Sequence, residues 1–340
     1  MEHVPFKLNK YSYLAEVPVE FTPAEIEASL KGAGVSAGII DFDDQLPLRD
    51  YLTGERALEP YLKFGDIHEM VAAIEAKLAD GRKASTFLTP RSAAGPNLRY
   101  LLTGHHNHGP TPLRATLRVR DLPEVSLRKA VFMEFRDEAV SLFREQIQNK
   151  NRPQMMRIYS PEILTADLGD RNTRQLVVFE YSGETFDTEF RFNRTLKALE
   201  AYSYEDLGEH EELARFRDSN KTLPIFGELV KEQHPEVIIH ISVVWSKLIP
   251  MLLELERITG GIYPVRTTVS GAWHEAALLS VRLLSFEGER DRSLIANEVN
   301  DLLSLFTKFK AGILEITPTR GRIDKKWDSI FKDPLTERLY

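Results

Sequence analysis

Over residues 237–327 the apolar positions switch repeatedly between the two-residue period of a strand and the 3.6-residue period of a helix. VIIHISVV, at 237–244, is a β-branched run that predicts a strand, and it ends where Ser246 can cap a helix. Leu248, Met251, Leu252, Leu255 and Ile258 then fall on one helix face, and Gly260 and Gly261 stop it. GIYPVRTTVSG and EAALLSVRLLSF give two strands rich in Val, Leu, Tyr and Thr. Asp291 can cap the next helix, which turns Leu294, Ile295, Val299, Leu302, Leu303, Leu305 and Phe306 to one side; Gly312 ends it, and ILEIT returns as a strand.

The same order of elements occurs once before. KAVFMEF reads as a strand, Asp137 caps a helix with Ala139, Val140, Phe143 and Ile147 inward, and MMRIYS is a strand. Ser160 and Pro161 open a short helix, RQLVVFEYSG is a strand, and 184–200 is helical. Two similar sets, at about 126–200 and 237–317, predict an α+β fold: a mostly antiparallel sheet covered on one face by the helices from Asp137, Glu184, Lys247 and Asp291.

The N-terminal part is patterned more weakly. Thr22, Pro23 and Glu25 make a helix start with a reciprocal cap, and SAGIIDFDD predicts a strand whose Asp41, Asp43 and Asp44 read as a solvated end and not as a metal site. FGDIHEMVAAIEAKLADGRK reads as a turn, an apolar run and an Asp-Gly turn; a loop, a short helix and the strand ATLRVRDLP follow. Between them His105, His106 and His108 sit in GHHNHGP. Adjacent histidines on one short loop do not converge on zinc without ligands from elsewhere, so they read as a polar turn. The acidic connector at 201–224 carries Arg215, Arg217 and Lys221 on a solvated helix face.

At 340 residues the chain has room for two domains, and its net charge of −7 argues against a general nucleic-acid binder, which needs a concentrated basic face. No apolar run reaches the ~20 residues of a membrane span, and the first residues carry no apolar signal core, so the expected location is cytoplasmic. The lack of cysteine excludes disulfides, thiolate metal ligands and cysteine nucleophiles in this chain.

Several stretches resemble one family in the right order. FGDIHEMVAAIEAKLADGRK is similar to a segment late in the flavin domain of the FAD-linked oxidases of the vanillyl-alcohol-oxidase type, which include glycolate oxidase, D-lactate dehydrogenase and alkyldihydroxyacetonephosphate synthase. SAAGPNLRYLLTG with ATLRVRDLPE resembles that family's glycine-proline, short helix, loop and strand. RPQMMRIYSPE resembles the start of its substrate cap, HISVVWSKL a cap strand, and GILEITPTRGRIDKKW a synthase-like ending. The likeness runs over about 61–332. It implies an unassigned segment at 1–60, a truncated remnant of a flavin-binding α+β domain at 61–125 and a cap domain at 126–340.

The departures fall where the family's chemistry sits. The resemblance leaves no counterpart for the glycine-rich loop around the FAD pyrophosphate, and the second flavin loop reads Gly104, His105, His106, Asn107, His108, Gly109 and Pro110. The family's serine-histidine-x-tyrosine motif falls on Ser270, Gly271, Ala272 and Trp273, and its triple histidine on Ile316, Thr317 and Pro318. On the hydroxyacid-dehydrogenase pattern the first metal histidine falls on Thr267 and the last survives as His274; one histidine does not hold a divalent ion, so no metal is expected. His274 with Glu275 is the remaining acid–base pair, and Arg157, Arg217, Arg320 and Arg322 fall in or near the implied substrate region, with structural ion pairs as the plainer role.

Three readings follow. The first is a degenerate, non-catalytic relative that binds no cofactor itself and acts as a subunit beside another protein or by self-association. The partner surface is expected around 61–120, where AAIEAKL and ATLRVR would present unpaired strand edges. The second is an active FAD-dependent oxidoreductase for a 2-hydroxy acid or related small anion, its FAD site completed by a partner chain. The third is a small-anion binding protein using the substrate cleft.

Overall fold

The computed structural model describes residues 5–39, 46–53, 67–88, 98–102, 110–161, 174–207, 235–259, 265–284 and 292–318. In chain order the first elements are β1 (Lys7–Asn9), β2 (Leu14–Pro18), α1 (Pro23–Gly32), β3 (Val35–Ser36), α2 (Leu48–Leu52) and α3 (Ile67–Met70). Then come β4 (Val71–Lys77), β5 (Lys83–Ser85), α4 (Leu98–Leu101), β6 (Thr111–Arg118) and β7 (Arg120–Asp121). The larger part holds β8 (Val125–Met133), α5 (Arg136–Gln148), β9 (Met155–Tyr159), β10 (Gln175–Gly183), α6 (Thr185–Leu199) and β11 (Tyr204–Asp206). It ends with β12 (Pro235–Val244), α7 (Trp245–Thr259), β13 (Val265–Ala272), β14 (Ala276–Leu284), α8 (Arg292–Phe309) and β15 (Gly312–Pro318).

Eight strands form one antiparallel sheet in the order β11-β8-β10-β9-β13-β14-β12-β15. Alternation along each strand sorts its side chains. Val131, Met156, Ile158, Val177, Phe179, Val269, Leu279, Val281, Ile239 and Ile241 all point to one face, and α5, α6, α7 and α8 cover it. From the helices come Phe143, Leu199, Leu252, Leu302 and Phe306, in one continuous core that spans both halves of the sheet. The expected α+β sheet with helices on one face is therefore present.

The helix starts and stops differ from the sequence reading. Asp137 lies inside the first turn of α5 and Phe135 precedes it with no side-chain cap. Ser246 lies inside α7, which begins at Trp245 directly from β12. α5 follows β8 after only Glu134 and Phe135, and α7 follows β12 with no residue between, so both helices begin earlier than the polar residue that could have capped them. α8 ends before Gly312: Lys310 takes the left-handed φ of 55°, and Gly312 instead opens β15, where a Cβ would meet Ser242 Oγ at 2.9 Å. Asp291 and the short helix predicted after Pro161 lie outside the described residues.

The smaller sheet has the order β1-β2-β6-β4-β5. Its core joins Ala15, Val17, Ile26, Leu30, Leu48 and Leu52 to Val71, Ile74, Ala115 and Leu117. The reciprocal cap at α1 is present: Glu25 N–H donates to Thr22 Oγ1 at 3.3 Å, and Thr22 N–H to Glu25 Oε2 at 2.8 Å. This sheet corrects the reasoning about exposed edges. β6 lies between β2 and β4, and β4 between β6 and β5, so the strands expected to be open are paired on both sides, in part by the first 20 residues. Of the strand predicted over SAGIIDFDD, two residues form β3; Asp41, Asp43 and Asp44 lie outside the described residues.

A buried polar knot ties α5, β10 and α6 together on the helix side. Tyr181 Oη donates to the Asn151 carbonyl at 2.7 Å and lies 2.7 Å from Thr195 Oγ1, while Asn151 Nδ2 reaches Gln146 Oε1 at 2.8 Å. Burial pushes the Tyr181 phenol up to about 12.

Two outcomes test this packing. Leu302→Ala should destabilise the chain by about 2–5 kcal/mol in denaturant unfolding, since it empties a fully buried site. An unfolded tyrosine ionises near 10, below the folded value of about 12. The stability that this shift contributes is complete below the unfolded value and is lost as pH rises through the folded one. Wild type should therefore lose more stability than Tyr181→Phe across that alkaline window; equal losses would contradict the assignment.

Candidate functional site

The face of the large sheet opposite the helices carries its polar residues. The same alternation that sends Ile239, Ile241, Leu279 and Val281 to the helices sends His240 and Ser280 the other way. Ladder register then lines up four strands: His240 is opposite Ser280, Ser280 opposite Thr268, and Thr268 opposite Tyr159. With strands about 4.8 Å apart, this row is roughly 14 Å long. All four side chains are buried.

Hydrogen bonds fix its two ends. Ser280 Oγ lies 2.9 Å from His240 Nδ1. On β9, Ser160 N–H donates to the Thr267 carbonyl at 3.1 Å and Ser160 Oγ accepts from Thr267 N–H at 3.2 Å, so the ladder continues past Tyr159. Two residues back along β9, Arg157 is 3% exposed and its Nη1 lies 3.5 Å from Tyr159 Oη. Thr268 Oγ1, at the middle of the row, is buried with no hydrogen-bond partner. A guanidinium, a phenol, two hydroxyls and an imidazole on one buried face offer donors in excess of acceptors, which suits a small anion or a carbonyl oxygen.

Next to this row the same face holds an ion pair. Glu180 Oε2 accepts from Arg128 Nε at 2.9 Å, with a second contact from Nη2, and Glu180 Oε1 accepts from Ser126 Oγ at 2.8 Å. Both side chains are largely buried, so the Glu180 carboxylate is compensated by Arg128.

Among the described residues, the structure separates the sequence candidates. Arg157 is on this face. His274 and Glu275 form the tip of the β13–β14 hairpin with Trp273, their side chains 70% and 77% exposed and 3.9 Å apart. Their backbone serves packing: the Glu275 carbonyl accepts from Trp245 N–H at 3.2 Å, the His274 carbonyl from Gln148 Nε2 at 3.2 Å, and the Trp273 carbonyl from Trp245 Nε1 at 3.3 Å. The hairpin thus docks the start of α7. Ile316, Thr317 and Pro318 lie on β15 opposite Ile239, Ile238 and Val237. Gly104, His105, His106, His108, Arg217, Arg320 and Arg322 lie outside the described residues, as do Arg215 and Lys221. Sequence reasoning does not reach His240, Ser280, Thr268 or Tyr159, although VIIHISVV carries His240 and Ser242, and ALLSVRLL carries Ser280 and Arg282, at positions that alternate with the core aliphatics.

Among the described residues no group of three His, Asp or Glu could hold a metal ion, and no helix is long and apolar enough to cross a membrane. A pyrophosphate needs converging backbone donors or cations. The turn after α1 has two left-handed glycines, Gly34 and Gly38, but its donors are spent: Ile39 N–H and Ser36 Oγ both donate to the buried Glu27 carboxylate at 2.8 Å, and Gly38 N–H donates to Ser36 Oγ at 2.9 Å. Burial raises the Glu27 carboxyl above its ordinary range, against those bonds. This turn does not fit the phosphates of FAD.

Arg128→Met should cost about 3–5 kcal/mol, because it leaves Glu180 buried and uncompensated, whereas Arg128→Met with Glu180→Met should recover most of the loss. Equal losses in the single and double variants, measured by denaturant unfolding, would show that Glu180 is solvated.

No protein-family model matches the chain. The FAD-linked oxidoreductase YgcU of Escherichia coli K12 is 27% identical over 148 residues, 43% of this chain and 30% of that protein. Alkyldihydroxyacetonephosphate synthase shares the fold with a TM-score of 0.73 and 17% identity, over 98% of this chain and 65% of that one. The 4-ethylphenol oxidase of Gulosibacter chungangensis gives 0.74 and 10% identity over 99% of this chain and 74% of its own. For p-cresol methylhydroxylase the values are 0.69 and 13%, over 98% and 73%. The chain thus spans 65% of the synthase, and the shared fold takes in the first 60 residues that the sequence left unassigned. Over 43% of its length the chain is thus similar in sequence to an FAD-linked oxidoreductase, and it shares its fold with these solved structures.

Proposed function

We propose that the chain is a non-catalytic FAD-linked oxidase relative, a subunit that works beside another polypeptide and binds no flavin by itself. The observation that carries this reading is Glu27. In the turn after α1, with its left-handed Gly34 and Gly38, a carboxylate of the chain itself occupies the donors, and its charge would repel a pyrophosphate. The position of His274 and Glu275 supports the same reading, since an exposed pair at a hairpin tip has no enclosed reaction space around it.

A second reading, binding of a small anion such as a 2-hydroxy acid, is favoured by the buried Arg157 and by Thr268 Oγ1 on the polar face. In the active-enzyme alternative, a partner chain would complete the FAD site and the same face would hold the substrate.

Equilibrium dialysis of the purified chain against FAD tests the first reading. The expected result is equal flavin on both sides of the membrane; micromolar binding would favour the active enzyme. Calorimetric titration with glycolate tests the second. Binding that is lost in Arg157→Gln and weakened in Thr268→Val would establish the anion site, and no heat in the wild type would reject it.

A further inference from the structure

The helix α6 packs its Thr188, Thr195 and Leu199 side against the sheet and leaves an aromatic ridge in solvent. Phe186 is 85% and Phe190 61% exposed. Positions 186, 190, 193 and 197 follow the spacing of a single helix face, so the ridge runs from two phenyl rings to Asn193 and Lys197, all exposed. Two large apolar side chains this open, one turn apart, have no role in the fold of the single chain, because the core closes beneath them.

The charges beside the ridge are ordered along the helix. Glu184, Asp187 and Glu189 lie in the N-terminal half, and Arg191, Arg194 and Lys197 in the C-terminal half. That order is self-complementary when two copies of the helix run antiparallel. Parallel copies would set like charges side by side, and an anionic membrane would meet Asp187 and Glu189 next to the phenyl rings.

We propose that α6 is a homodimer surface, on which two copies of this chain pack their α6 helices antiparallel about a two-fold axis between positions 190 and 191. The axis sets Phe190 against its own copy, and Phe186 against Asn193 and Lys197 of the second chain. Asp187 and Arg194, seven residues apart on the same flank of the ridge, then meet across the axis in two symmetric pairs. Asp187 already holds Arg191 within its own helix at 2.8 Å, so the pairs extend an existing charge cluster. A 15-residue helix is about 22 Å long. A contact of this length lies at the small end of specific interfaces. The surface is on the helix side of the sheet, away from the polar row, and the proposal does not depend on whether flavin binds.

Sedimentation velocity of the full chain over roughly 1–200 µM reads the equilibrium. Wild type should pass from monomer to dimer in that range. Phe186→Ser with Phe190→Ser should raise the dissociation constant at least about 30-fold, with an unchanged melting temperature because both positions are exposed. Asp187→Arg alone should weaken the dimer, and Asp187→Arg with Arg194→Asp should return it to within about threefold of wild type. If the phenylalanine variant misfolds, the charge exchange decides. A wild type that stays monomeric, a dimer indifferent to loss of the phenyl rings, or an exchange that fails to restore association would each overturn the proposal.

Discussion

The two-sidedness of the eight-stranded sheet is the constraint from which the rest of the molecule follows. A strand alternates its side chains between faces, so a sheet that must bury one face under four helices commits every second residue of all its central strands to aliphatic or aromatic side chains. The other residues are released from that duty. They can carry charge and hydrogen-bonding groups without loss to the core, and the register fixes which of them become neighbours. His240, Ser280, Thr268 and Tyr159 come from four strands spread over some 120 residues of sequence, yet the ladder sets them in one row.

This is also why the fold was legible and the polar row was not. Periodicity is a local property, and long runs such as VIIHISVV or the Leu302 helix carry enough of it to give type and extent. Which polar residues face each other depends on strand order, and β9 lies beside β13, with Tyr159 opposite Thr268 and Ile158 opposite Val269, although the two strands are far apart in sequence. Caps were misread at Asp137, Ser246 and Gly312 because a plausible capping residue was present in each case while the chain changed conformation elsewhere, twice by passing almost directly from strand into helix. The first 60 residues were opaque for another reason. β1, β2 and β3 are only three, five and two residues long, too short to show a period, and β2 and β3 find their partners in the distant β6 and β7.

The smaller sheet shows how pairing removes a liability that sequence suggests. AAIEAKL and ATLRVR read as edges when their neighbours are sought only nearby. In the structure each has two partners, and the outermost strands are the three-residue β1 and β5, which carry Lys7 and Lys83. Short, lysine-bearing strands are poor templates for further pairing, so the edges this sheet leaves are weak ones.

Fold and chemistry separate most clearly at the hairpin between β13 and β14. Position by position, the family resemblance brings its acid–base motif to Ser270, Gly271, Ala272 and Trp273, with His274 just beyond. Here those residues finish a strand and hold the start of α7 through backbone carbonyls, and Trp245 packs edge-on against Phe143 with ring centroids 6.0 Å apart. Backbone carbonyls place no demand on side-chain identity, so this segment can keep its structural task while its side chains change. Arg157 is bound differently. Its guanidinium sits inside the sheet face beside the Tyr159 phenol, where a buried cation has a high desolvation cost, so its surroundings constrain the side chain itself and not only the backbone.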